Sequence, residues 1–223
     1  MLNKQKNEVT PFDYLLSLMT RPVLVIGYLA FIVISFLYWD KPLADYFHHL
    51  DLKGNASILN LITNIGLGAL YFVSLPLLAL YFRYRRQNRV WEARAWFLLL
   101  CLLISNMVCA VIKVSVGRAR PELLFTENLY GFFGPHTQSC YWSFPSGHTT
   151  TVMSLTLGLG VLFPRYFYAF LTSGILLASL RIVLTHHYLS DVLTASYLVL
   201  LELGFLMYWL RRKNLLICNA SIV

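Results

Sequence analysis

Two stretches of this chain, residues 22–39 and 56–82, contain no charged side chain. Four more, 95–112, 146–163, 166–184 and 189–210, carry between them only Arg181, Asp191 and Glu202. About 20 predominantly apolar residues, rising 1.5 Å each as a helix, cross roughly 30 Å of hydrocarbon. Six segments of this kind in 223 residues leave little room for anything else. In hydrocarbon every backbone N–H and C=O must be satisfied within the chain, which leaves helices or closed barrels. The runs have the length and apolar continuity of spanning helices. The fold expected is therefore all-α, an integral-membrane bundle of six transmembrane helices.

Composition closes the alternatives. Hydrophobic residues make up 58% and charged residues 13%, with a mean hydropathy of +0.62, whereas a soluble domain carries about 25% charged residues. Disordered, collagen-like and disulfide-scaffold classes are excluded. The net charge of +8 would suggest nucleic acid in a soluble protein; here no nucleic-acid partner is expected. Cys101 and Cys109 lie in apolar runs and no cysteines form a CxxC pair, so neither a disulfide framework nor a zinc site is indicated. No cleavable signal peptide is expected, and no obligate protein partner is evident.

Six spans put both termini on one side, with the 83–94 and 164–165 connections. That side collects twelve of the 18 basic residues, so the positive-inside rule predicts cytoplasmic termini. Residues 1–21 read as a cytoplasmic N-terminal segment, 22–210 as the membrane domain and 211–223 as a cytoplasmic tail. All six histidines then fall on the other side, which points to a site facing away from the cytoplasm.

Three polar clusters break the apolar pattern, and ionisable groups in membrane segments imply function. Lys113 to Pro121 ends the third span, Phe144 to His148 opens the fourth, and Arg181 to Asp191 joins the fifth to the sixth. The topology brings all three to one face. Lys113, Arg120 and Arg181 would be three cations at one depth, a charge that phosphate would neutralise through the flat guanidinium forks and the lysine ammonium. Pro145-Ser146-Gly147 reads as a helix start, whose amides form an anion site. His187 and Asp191 are four apart; on a helix the carboxylate would lie one turn above the imidazole and orient it. His148 is placed to protonate a leaving oxygen. His186, five residues from Asp191, is the competing nucleophile.

Lys113-x6-Arg120-Pro121, Pro145-Ser146-Gly147-His148 and Arg181-x5-His187-x3-Asp191 together resemble the signature of the type 2 phosphatidic acid phosphatase superfamily. One departure is Leu180, where that family usually has Ser. Thr63-Asn64-Ile65-Gly66 also resembles a Thr-x-x-Gly segment common there. The resemblance implies the family's six-helix membrane fold and a metal-independent lipid phosphatase with no cofactor. His187 would form a phosphohistidine, Asp191 would orient it and His148 would act as acid. Lys113, Arg120, Arg181, Ser146 and Gly147 would hold the phosphate oxygens. The implied partners are the bilayer and a membrane lipid, and the implied location is the bacterial inner membrane with a periplasmic site. The leading substrate expectation is the 1- or 4'-phosphate of lipid A. Undecaprenyl diphosphate and phosphatidylglycerol phosphate are alternatives, and an anion transporter or a non-catalytic lipid-binding protein is the reading from another class. The 122–141 loop is expected to carry selectivity.

Other polar residues receive structural readings. Arg118 reads as an anchor at the membrane edge. His48, His49 and His136 read as interfacial, as do the aromatics Tyr130, Phe132, Phe133, Tyr141 and Trp142. Asn106 and Glu202 read as interhelical polar contacts.

Overall fold

A computed structural model of the chain describes residues 9–50, 66 and 68–213. Among these it is all-helical, with isolated β-bridges only in the loop around Arg118. In chain order the helices are α1 (Pro11–Met19), α2 (Pro22–Ile34), α3 (Asp40–His49), α4 (Gly68–Tyr84), α5 (Arg89–Val116), α6 (Pro121–Glu127), α7 (Gly147–Leu162), α8 (Phe167–Val183) and α9 (Leu189–Arg212). Four continuous helical stretches have the length and hydropathy of a membrane span: Pro22–His49, Arg89–Val116, Pro164–Val183 and Leu189–Arg212. The expected six are thus four by this measure. α4 is apolar but shorter, and much of the predicted 56–82 span lies outside the described residues. α7 has 16 residues and is rich in threonine and glycine.

α7 is the axis of the bundle, packed against α5, α8 and α9. This position explains its composition, because a helix surrounded by protein needs small residues for close approach rather than an apolar face towards lipid. A Cβ built on Gly160 would lie 2.6 Å from the Phe167 ring of α8. Met153 and Leu157 of α7 share a core with Cys101, Phe167, Val199 and Leu203. Phe12 of α1 joins that core, 1% exposed, so the N-terminal segment contributes to the bundle.

Two departures from the sequence reading concern the ends of spans. α5 begins at Arg89, six residues before the predicted span, because its charged first turn finds partners: Asn88 caps the amides of Val90 and Trp91, and Glu92 pairs with Arg83 and Arg89. The first predicted span ends at residue 39, yet residues 40–49 are helical too. The first span runs through a π-helical turn, Ser35–Trp39, directly into α3.

Candidate active site

Every described polar cluster identified from the motifs lies at one end of the bundle. Lys113 is in the last turn of α5, Ser146 caps α7, Arg181 is in the last turn of α8 and Asp191 is in the first turn of α9. Gly117 makes this possible. It ends α5 at φ 56° with its amide bonded to the Lys113 carbonyl. A Cβ there would collide with the carbonyl of Gly134, so only glycine turns the chain back towards the site.

Lys113 lies alongside the start of α7. A Cβ added to Gly147 would sit 3.4 Å from its Cε, and its ammonium donates to the Trp142 carbonyl at 2.9 Å. Ser146 caps α7 by accepting from the Thr149 amide and hydroxyl, at 3.4 and 3.0 Å. The first amides of the helix, on Gly147 and His148, have no intrahelical acceptor and form a ready anion cradle. Lys113, Arg120 and Arg181 all act electrostatically on His148, and Lys113 and Arg120 act on His187. Gly66, in the Thr-x-x-Gly segment, packs on the His148 ring; residues 63–65 lie outside the described residues.

His187 is 3% exposed. It precedes the helix rather than lying on it, since α9 starts at Leu189 with Tyr188 as its cap. The expected one-turn helical geometry is therefore corrected. Asp191 Oδ2 is 3.6 Å from His187 Nδ1, and the hydrogen-bond partner of Nδ1 is the Ser143 carbonyl at 2.8 Å. Ser143 bridges the two, because its hydroxyl donates to Asp191 Oδ2 at 2.6 Å. With Nδ1 carrying the proton, Nε2 keeps its lone pair. Burial, reinforced by the charges of Lys113 and Arg120 against the pull of Asp191, lowers the His187 pKa from 6.5 to about 3. The ring is thus neutral near pH 7, as a nucleophile requires.

Arg118 overturns its reading as an edge anchor. It is wholly buried, with Nη2 2.6 Å from Asp40 Oδ2, and Nη1 bonded to Asp191 Oδ1 and to the Ser190 hydroxyl. Burial opposes its charge, but Asp191 and Asp40 more than compensate, raising its pKa. The Phe36, Tyr130, Phe132 and Tyr188 rings surround the guanidinium. Tyr130, read as interfacial, donates its hydroxyl to the Phe36 carbonyl and packs on Phe36. Sequence reasoning missed Arg118, Asp40, Ser143 and Ser190. Only Asp40 carried a signal, as an acid ending a charge-free apolar run.

Residues 94–215 match the PAP2 superfamily. A Lipid A 1-phosphatase of Rhizobium johnstonii is 35% identical over 97 residues, covering 44% of this chain and 40% of that protein. A Lipid A 1-phosphatase of Rhizobium etli is 34% identical over 97 residues, 44% of this chain and 42% of the relative. The matched segment thus spans about two fifths of the length of these relatives. The crystal structure of a transmembrane PAP2-type phosphatidylglycerolphosphate phosphatase from Bacillus subtilis superposes with a TM-score of 0.51 at 19% identity. It covers 94% of this chain and 95% of its own, which establishes a common fold. With more than half its length matched and the three motifs meeting at one end of the bundle, this chain belongs to the PAP2 superfamily.

Proposed function

We propose that the protein is a membrane lipid phosphatase that removes the 1-phosphate of lipid A. The observation carrying this reading is the convergence of three cations, an open helix N-terminus and a buried neutral imidazole at one end of an apolar bundle. The names of the Rhizobium relatives support the substrate. The alternatives remain undecaprenyl diphosphate and phosphatidylglycerol phosphate.

In this reading Nε2 of His187 attacks phosphorus in line. The N–P bond forms as the bond to the lipid oxygen breaks, and His148 gives that oxygen its proton. Lys113, Arg120, Arg181, the Ser146 hydroxyl and the Gly147 amide hold the other phosphate oxygens, where charge develops in the transition state. Asp191, acting with Ser143, fixes the tautomer of His187 and balances its positive charge. Water then attacks the phosphohistidine with His148 as base, releasing phosphate. The cations supply the charge stabilisation that a metal ion provides in other phosphatases.

The further reading is six spans over residues 22–210, with α4 and α7 completing the bundle; residues 56–65 and 67 of the second span lie outside the described residues. The termini would face the cytoplasm and the site the periplasm of a bacterial inner membrane, supported by the charge bias of the connections. A lipid would then reach His148 and His187 sideways from the outer leaflet.

The test is phosphate release by purified protein in detergent, with excess EDTA, from lipid A, undecaprenyl diphosphate, phosphatidylglycerol phosphate and phosphatidic acid. His187→Ala protein serves as blank. Preferential release from lipid A, at position 1, is expected. Preference for another lipid replaces the substrate, loss of release in EDTA removes the metal-free mechanism, and no release from any lipid removes the phosphatase reading.

A further inference from the structure

Asp40 lies outside the segment that matches the family, residues 94–215, yet it is one of the most heavily engaged side chains in the molecule. It is 1% exposed. Its Oδ2 takes the Arg118 guanidinium and the Ser190 hydroxyl, and its Oδ1 accepts the Ser190 amide at 3.0 Å. Along the helix that leads to it no residue of Pro22–Ile34 is buried, although Tyr28 donates its hydroxyl to the Leu193 carbonyl and stacks on Tyr197. Burial begins at Ser35, where the helix changes to a π turn, and Asp40 follows that turn. Such turns shift the register of a helix and are frequent at functional sites. Here Phe36 and Asp40 both reach Arg118.

We propose that Asp40 is a positioning residue for the phosphatase reaction, acting on His187 through Arg118, Asp191 and Ser143. This inference rests on the phosphatase reading above. Two physical effects follow from the geometry. Asp40 holds the first turn of α9 through Ser190 while Arg118 grips Asp191 beside it, so the carboxylate that faces His187 is clamped from two sides. The charges also matter. Arg118 with Asp191 alone is a neutral pair, and with Asp40 the trio carries one negative charge. That charge favours the positive charge which His187 acquires as the N–P bond forms, and it has no role in holding a phosphate anion. Arg118 is thereby reserved for the nucleophile, while Lys113, Arg120 and Arg181 serve the phosphate.

The test separates nucleophile positioning from anion binding and from simple stabilisation of the bundle. Asp40→Asn keeps the shape and removes the charge. Its kcat should fall about 10- to 100-fold, with KM and inhibition by inorganic phosphate held within about twofold. Inhibition by vanadate, which takes a bond from the nucleophilic nitrogen as the transition state does, should weaken in step with kcat. A folded Asp40→Asn protein with wild-type kcat overturns the inference, and so does equal weakening of phosphate and vanadate. Should Asp40→Asn fail to give monodisperse protein, Ser190→Ala decides. It removes the hydroxyl's bond to Asp40 and its bond from Arg118 Nη1, leaves the charge, and should lower kcat about threefold to tenfold with the same split between phosphate and vanadate. Wild-type kinetics for Ser190→Ala overturn the inference in that case. A wild-type protein inactive on every lipid sinks the phosphatase reading and this inference together; every other outcome bears on this inference alone.

Discussion

Each end of the bundle is tied by an arginine–aspartate pair between distant parts of the chain, and the two pairs do opposite work. At the site end Arg118 bonds Asp40 and Asp191 with no exposure of any of the three side chains. At the other end Arg211 grips both oxygens of Asp13 at 2.9 Å, but its side chain is 47% exposed. The exposed pair fastens α1 to the end of α9 at small cost, because water solvates whatever the pair does not. The buried trio has no such alternative. Ions removed from water cost several kcal/mol each before pairing offsets it, so a fold that keeps three of them beside His187 has a use for the field they create.

The sharpest way to break this comparison is to change the chemistry at the site end and measure turnover. His187→Ala should abolish phosphate release, a loss of more than a thousandfold, while the protein stays folded in detergent. His186→Ala should keep much of the activity, because the Nδ1 bond to the Ser143 carbonyl belongs to His187. Equal losses in the two variants would remove His187 as the nucleophile.

Next in size is the cost of leaving the buried charges unpaired. Arg118→Ala would strand Asp40 and Asp191 without their cation, and should destabilise the protein by about 3–5 kcal/mol. Thermal unfolding in detergent would register this as a large drop in Tm. A drop no greater than that for an exposed arginine would mean that the site end is solvated after all.

The motif residues were legible because their chemistry repeats at fixed short spacings. Lys113 with Arg120, and Arg181 with His187 and Asp191, are each close in sequence and close to a helix end, so counting residues already placed them together. Arg118 was not, since its partner Asp40 is 78 residues away and nothing local separates a buried arginine from one reaching for water. Asp40 depended on a π turn that no pattern of apolar residues announces. Ser143 acts through its carbonyl as much as its hydroxyl, and a backbone acceptor leaves no mark in the residue type. The helical class followed from the apolar runs, and four of the six spans read from them have the length and hydropathy of a span among the described residues. α7 is enclosed by protein, so it has no need of the hydropathy that marks lipid-facing helices such as α2.

Acid should expose the contrast in a third way. His187 has a pKa of about 3 in the fold against 6.5 unfolded, so below pH 6.5 the unfolded chain binds a proton that the folded one refuses. Stability conferred by the neutral ring is present above pH 6.5 and is lost as pH falls towards 3. The slope is at most about 1.4 kcal/mol per pH unit. His187→Asn keeps an amide donor for the Ser143 carbonyl and has no proton to gain. Its unfolding midpoint should therefore fall less steeply between pH 6 and pH 4 (a window set by the pKa shift) than that of the wild type. Parallel curves would mean that the ring is already accessible to protons.

The smallest effect belongs to the opposite end. Arg211→Ala removes a two-pronged but half-solvated pair, and exposed pairs contribute about 0.2–1 kcal/mol. Phe12 stays in the core shared with Met153 and Leu203, so α1 keeps its apolar contact when the ion pair goes. Tm should move by no more than a few degrees, and the loss should shrink further in high salt, which screens exposed charges. Turnover should be unchanged, since nothing in the pair reaches the site. A large loss of stability would show that α1 is held by charge rather than by Phe12, and the two ends would then differ only in depth.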